Sequence, residues 1–150
     1  MARRMLFETE RPVYWPSEYA EIVNLLKGAH ANSDRRAPLF KLNAGVVIFA
    51  GMMGLVRNRK GEIKSGRQEI TTGTFEANSL GGVSLCSYIF LIALLGGCEV
   101  ESLRVEREDE ILRMFERYVA GGFEVIQEEL NKSSDATGLS VVVAELDKYF

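Results

Sequence analysis

The stretch Phe115-Glu-Arg-Tyr-Val-Ala-Gly-Gly-Phe-Glu-Val-Ile-Gln-Glu-Glu-Leu130 sets two adjacent glycines inside an amphipathic helical pattern. Ile111, Phe115, Val119, Gly122, Ile126 and Leu130 recur at the three-and-four spacing of a buried stripe, which puts Gly122 on the packed side. A glycine in a helix interior costs roughly 1 kcal/mol against alanine, and a pair about twice that. A chain that tolerates such a cost is expected to use the position for close backbone contact, or to break there into two helices.

Two other segments are apolar enough to form a core. After Pro38, suited to a first helical turn, come Phe40, Val47, Ile48, Phe49, Met52, Met53 and Leu55, an apolar surface on nearly every side that Gly45, Gly51 and Gly54 thin along one face. The second segment, 82–95, is closed by Gly96 and Gly97, a plausible C-cap pair. Its dense apolar part, 83–95, is shorter than the ~20 residues that a membrane-crossing helix needs, so it reads as a core helix. Ser17 suits an N-cap for a short helix running to about Lys27, and a short turn is expected at 74–77. The long acidic helix is expected to open at Glu108, Asp109 and Glu110, where acids favour the positive end of the helix dipole, and to run to about Asn131. Residues 100–106 read as extended. A last helix after Ser133 carries Leu139, Val142, Val143 and Leu146, with strand as the alternative because three valines adjoin.

Pro12 and Pro16 make the first sixteen residues hard to fold as helix and predict an extended arm, with Tyr14 and Trp15 as a hydrophobic latch on the body. The whole reading is all-α: one domain, 1–150, forming a compact bundle of about five to six helices around two apolar central helices, with 1–16 as the arm and room for a small hairpin or loop insertion at 57–73. The 150 residues, 47% hydrophobic and 26% charged, suit a single globular domain with a real core. Glu8, Glu10 and Arg11 arrive too early for a signal peptide, so a cytoplasmic location is expected.

Catalytic motifs are missing from the sequence. Gly51-Met-Met-Gly54 lacks the Gly-Lys-Ser/Thr that ends a phosphate-binding loop. Cys86 and Cys98 lie outside any closely spaced metal or redox pair and read as reduced, buried thiols. His30, the lone histidine, lies in a polar connection with only Asp34 nearby, too little for a triad or a metal site. Neither catalysis nor a metal nor any other cofactor is expected.

Charge is distributed unevenly. Residues 1–78 carry 12 Lys/Arg against 8 Asp/Glu, whereas 79–150 carry 6 against 13. Arg57, Arg59, Lys60, Lys64 and Arg67 crowd five cations around one acid, Glu62, on a segment expected to project from the bundle. Such a projection suits contact with DNA phosphates, sensitive to salt and indifferent to base sequence, or else is a solvated loop. Arg3, Arg4, Arg35 and Arg36 would enlarge the patch if the fold gathered them. Phe115, Tyr118, Gly121, Gly122 and Phe123 are the candidate interface, toward a protein partner or a second copy.

The order Pro38-Leu-Phe-Lys, Ile48-Phe-Ala-Gly-Met-Met-Gly-Leu-Val-Arg-Asn-Arg, Glu69-Ile and then Phe115-Glu-Arg-Tyr-Val-Ala-Gly-Gly-Phe-Glu-Val-Ile resembles the small Dnd-system-associated proteins, which are encoded beside DNA phosphorothioation genes. The resemblance spans about 38–130. The loop after Leu55 departs from the pattern, and 131–150 has no counterpart in it. It implies an accessory role in a bacterial DNA-modification or phage-defence cassette, beside larger modification and restriction enzymes, and carries over no catalytic residue. The competing class is a homo-oligomerising structural subunit that never touches DNA.

Overall fold

The computed structural model describes residues 7, 10–27, 42–64, 66–99 and 107–132. Expectations for Arg3, Arg4, His30, Arg35, Arg36, the segment 100–106 and the last helix lie outside the described residues. The described chain is mostly helical, but it is not strictly all-α: two small antiparallel sheets accompany five α-helices.

The extended arm is a strand, β1 (Pro12–Pro16), and it is paired. Val13 and Trp15 turn inward and are buried while Tyr14 between them is half-exposed, the period of two that a strand imposes. Its partner is β2 (Arg67–Thr71), in antiparallel register with Val13 opposite Ile70 and Trp15 opposite Gln68. The 57–73 insertion therefore holds neither a local hairpin nor only a loop, since its second half pairs with a strand some fifty residues earlier. The polar run Arg-Gln-Glu-Ile-Thr gives no apolar alternation to announce a strand. On its other side β1 meets the long helix, where the Tyr14 amide donates to Glu116 Oε2 at 3.0 Å. Proline is tolerated at the two ends of such a short strand, outside a continuous ladder.

A 3-10 turn (Ser17–Tyr19) and then α1 (Ala20–Leu26) follow. Ser17 does not cap by its side chain; its amide instead donates to the Gly66 carbonyl, tying α1 to the β2 side. Helix α2 (Asn43–Val56) begins after an extended Leu42, the expected start at Pro38 lying outside the described residues, and it ends where Asn58 takes a left-handed conformation, φ 53°. It is buried on nearly every side, as its composition predicts. Helix α3 (Thr72–Ala77) is longer than the expected turn and leads into the hairpin β3 (Ser79–Leu80) and β4 (Val83–Ser84). Gly81 and Gly82, both at positive φ, form its two-residue turn, a geometry that glycine adopts without strain. Ser84 then caps α4 (Leu85–Leu95), accepting from the Cys86 amide. The closing helix α5 (Glu108–Lys132) runs unbroken through the glycine pair.

The body is organised on α2 and α5, which make the most extensive contact in the fold, so α4 is not the second central rod. Helix α4 lies to one side, with Leu91 48% and Leu95 65% exposed on its outer face. Glycine explains the closeness of α2 and α5. A Cβ at Gly122 would overlap the Ala50 carbonyl, and one at Gly54 would overlap the carbonyl of Tyr118. The neighbour that presses on the glycine pair is the chain's own α2. Arg11 fastens the start of α5 from the strand side, its Nε 3.0 Å from buried Glu108 and Nη1 2.7 Å from Asp109.

Candidate functional site

The basic segment does not project. From Arg57 to Gly61 it lies along α5: the Gly61 amide donates to the Arg117 carbonyl at 2.9 Å, and a Cβ on Gly121 would overlap the Arg59 carbonyl. The two adjacent glycines thus serve two neighbours, Gly122 facing α2 and Gly121 facing this connection. That docking divides the five cations. Arg57 Nη1 lies 3.5 Å from Glu129, and Arg59 pairs with Glu128 and, at 4.0 Å, with Glu124. The Arg59 hydrogen bond holds the Glu128 carboxyl below its ordinary range. Lys60 sits over the Tyr118 ring, 5.5 Å from its centroid, and Lys64 is exposed. Arg67, at the start of β2, lies 3.9 Å from the centroid of the Tyr14 ring.

The five residues considered for an interface are all inside the chain. Phe115 and Phe123 are fully buried, Tyr118 is 3% exposed, and Gly121 and Gly122 are buried between α5 and its neighbours. Phe115 meets Phe75 edge-on at 6.3 Å. Phe123 stacks on Tyr19 at 5.1 Å and lies 6.1 Å from Trp15, so Trp15 is the latch while Tyr14 faces outward to carry Arg67. The Tyr118 hydroxyl donates to the Gly96 carbonyl. A partner could reach these side chains only by displacing the chain's own elements.

What the structure adds is a pair of arginines that sequence reasoning passed over. Arg113 and Arg117 sit one turn apart on the exposed side of α5, opposite the stripe of Ile111, Phe115 and Val119. The i, i+4 spacing was there to be read, but the surrounding acids made the helix look uniformly anionic. A cleft of about 300 Å3 lies on one side, lined by Tyr14, Ile63, Arg67, Arg113, Glu116 and Arg117. A second of about 460 Å3 lies on the other, where Arg107, Glu99, Glu110 and Cys98 join Arg113 and Arg117.

Glu116 is the hub of the first cleft. It is 8% exposed, accepts from the Tyr14 amide, and receives Arg113 Nε at 2.9 Å. Burial nonetheless raises its carboxyl above the ordinary value of 4.5, outweighing the opposing pull of Tyr14 and Arg113. A carboxyl whose pKa rises on folding adds stability only while it stays protonated, and that contribution is lost as pH climbs through the folded value. Against a Glu116→Gln variant, wild-type stability is therefore expected to fall as pH rises from about 4 toward neutrality, as read by urea unfolding across pH. A difference that grows with pH would show the Arg113 pair to dominate instead.

Neither cysteine is in a disulfide; Cys86 is buried and Cys98 half-buried. Among the described residues no group of three or more His, Cys, Asp or Glu side chains could hold a metal ion, and no helix is long and apolar enough to cross a membrane.

Fold and cleft together define a mostly helical protein of small sheets and close-packed glycines, with arginines lining the outer side of its longest helix. No curated protein and no solved structure matches the chain. The model of one family does match, over residues 13–148, and the chain belongs to that family: DNA sulphur modification system-associated protein 4. The match takes in β1 from Val13 onward and residues 131–148, beyond the 38–130 of the sequence resemblance.

Proposed function

We propose that the protein is a non-catalytic accessory component of a bacterial DNA sulphur modification and phage-defence system, acting in the cytoplasm through contact with protein components of that system and with the DNA backbone. The family match over residues 13–148 carries this reading. Its backbone-contact part is supported by cations that remain available at one surface. Lys64 is exposed, and Arg67 rests on a neutral ring in the same cleft as Arg117. Arg57 and Arg59 face acids of α5 and contribute less.

A fluorescent duplex titrated at rising salt tests this. Log affinity is expected to fall linearly with log salt, by about 0.9 for each phosphate neutralised. Lys64→Ala is expected to weaken binding and reduce the slope by about one, while Arg57→Ala and Arg59→Ala change it less. No binding at low salt, with a stable oligomer by light scattering, would favour the homo-oligomerising structural subunit. That second reading has its own observation in the exposed Leu91 and Leu95 of α4.

A further inference from the structure

We infer that the hollow between β2 and α5, walled by Arg67, Arg113 and Arg117, is a binding site for a single phosphate group, supplied by a nucleic-acid backbone. This rests on the backbone-contact reading above and gives it an address.

Three guanidinium groups line this hollow, and each is differently placed. Arg67 is held over the Tyr14 ring at 3.9 Å, and a cation stacked on a ring face keeps its in-plane N–H donors for another acceptor. Arg113 is oriented by the Glu116 carboxylate, with Nε at 2.9 Å and Nη2 at 3.1 Å. Glu116 in turn is anchored by the Tyr14 amide, so its oxygens are occupied by donors of the chain. Arg117 is exposed and makes no ion pair with a described residue, although its carbonyl is fixed by Gly61. Among the described residues of the lining, Glu62, exposed at the rim, is the one further negative charge.

The chemistry favours phosphate. Guanidinium forks match phosphate oxygens in paired hydrogen bonds, and a phosphate offers more acceptor positions than the single fork that satisfies a carboxylate. The size, about 300 Å3, is at the small end of ligand clefts and suits one phosphate with its neighbouring sugar. Across the Arg113 and Arg117 ridge, the second hollow has the same formal balance, Arg107 with Glu99 and Glu110. The Arg67 side is set apart by the guanidinium held on the Tyr14 ring and by a Glu116 already taken up by Arg113 and the Tyr14 amide.

The full-length protein is tested in two arms. In the first, the fluorescent duplex is titrated with wild type, Arg67→Ala, Arg117→Ala and Arg117→Lys, with Arg107→Ala as the control and circular dichroism to confirm folding. Arg67→Ala and Arg117→Ala are each expected to weaken affinity about tenfold and lower the salt slope by about one. Arg117→Lys, which keeps the charge without the fork, is expected to fall between, and Arg107→Ala to match wild type. If wild type binds the duplex and either alanine variant keeps its full affinity and slope, the site is refuted while the backbone reading stands. In the second arm, inorganic phosphate is titrated while the arginine Nε–H resonances are followed by NMR. Saturable shifts of Arg67 and Arg117, absent with chloride, uphold the hollow even if no duplex binds and the backbone reading has failed; no saturable shift overturns it.

Discussion

Gly122→Ala is expected to be severely destabilising, losing about 4 kcal/mol or more of a stability that for domains of this kind is about 5–15 kcal/mol. Helix propensity alone argues the opposite, since alanine in place of an interior glycine gains about 1 kcal/mol. The contact decides the sign. The added Cβ meets the Ala50 carbonyl and lies 3.0 Å from the Gly54 amide nitrogen, and these are main-chain atoms in the middle of α2 that cannot swing aside as a side chain would. To admit the methyl group the two helices must separate, opening the most extensive contact in the fold. Gly51→Ala provides the contrast. Its Cβ would meet Phe115 Cε1 at 2.9 Å and Ile92 Cδ1 at 3.2 Å, both side-chain atoms, so the cost is expected to stay within the 1–3 kcal/mol typical of overpacking. Urea unfolding of the two variants checks the difference. Equal stabilities for the two would mean that helix backbones do not meet at Gly122.

Phe123→Ala is expected to cost about 3–5 kcal/mol, the range for emptying a buried aromatic site. Its effect should be directional as well as large. On α5, Phe123 carries both Trp15 of β1 and Tyr19 of the following turn, with ring centroids at 6.1 and 5.1 Å. Removing the ring takes away the support of the N-terminal strand before it touches the α2 and α5 seam. Trp15, the only tryptophan, reports on this: its fluorescence should shift toward that of a solvated indole. Amides of β1 and β2 should exchange hydrogen faster relative to those of α2. Uniform acceleration over all elements would show that β1 is not held separately by this stack.

The two predictions rest on features that were unequally legible in the sequence. The long helix could be read nearly to its ends, because three acids mark its first turn and a strict apolar stripe fixes its inner face. The glycine pair announced a close approach, but only the fold shows that one glycine receives α2 and the other the 57–61 connection. β2 was opaque because Arg67, Gln68 and Glu69 are all exposed and the strand exists by pairing with β1, a long-range choice that no local pattern encodes. The basic run was legible as charge but not as a surface, since Glu124, Glu128 and Glu129, some seventy residues onward, return to meet Arg57 and Arg59. By the same logic Arg113 and Arg117 were submerged in an acidic helix, and their importance arises from β2 bringing Arg67 beside them.

The central claim is that the glycine notch of α5 is filled by α2 of the same chain, leaving the arginine side of that helix facing outward. Isotope-filtered nuclear Overhauser measurements on a mixture of labelled and unlabelled protein test it most directly. Contacts from Gly122 to Ala50 and from Gly54 to Tyr118 are predicted within one molecule and not between molecules. Finding them only between labelled and unlabelled chains, or not at all, would contradict the account.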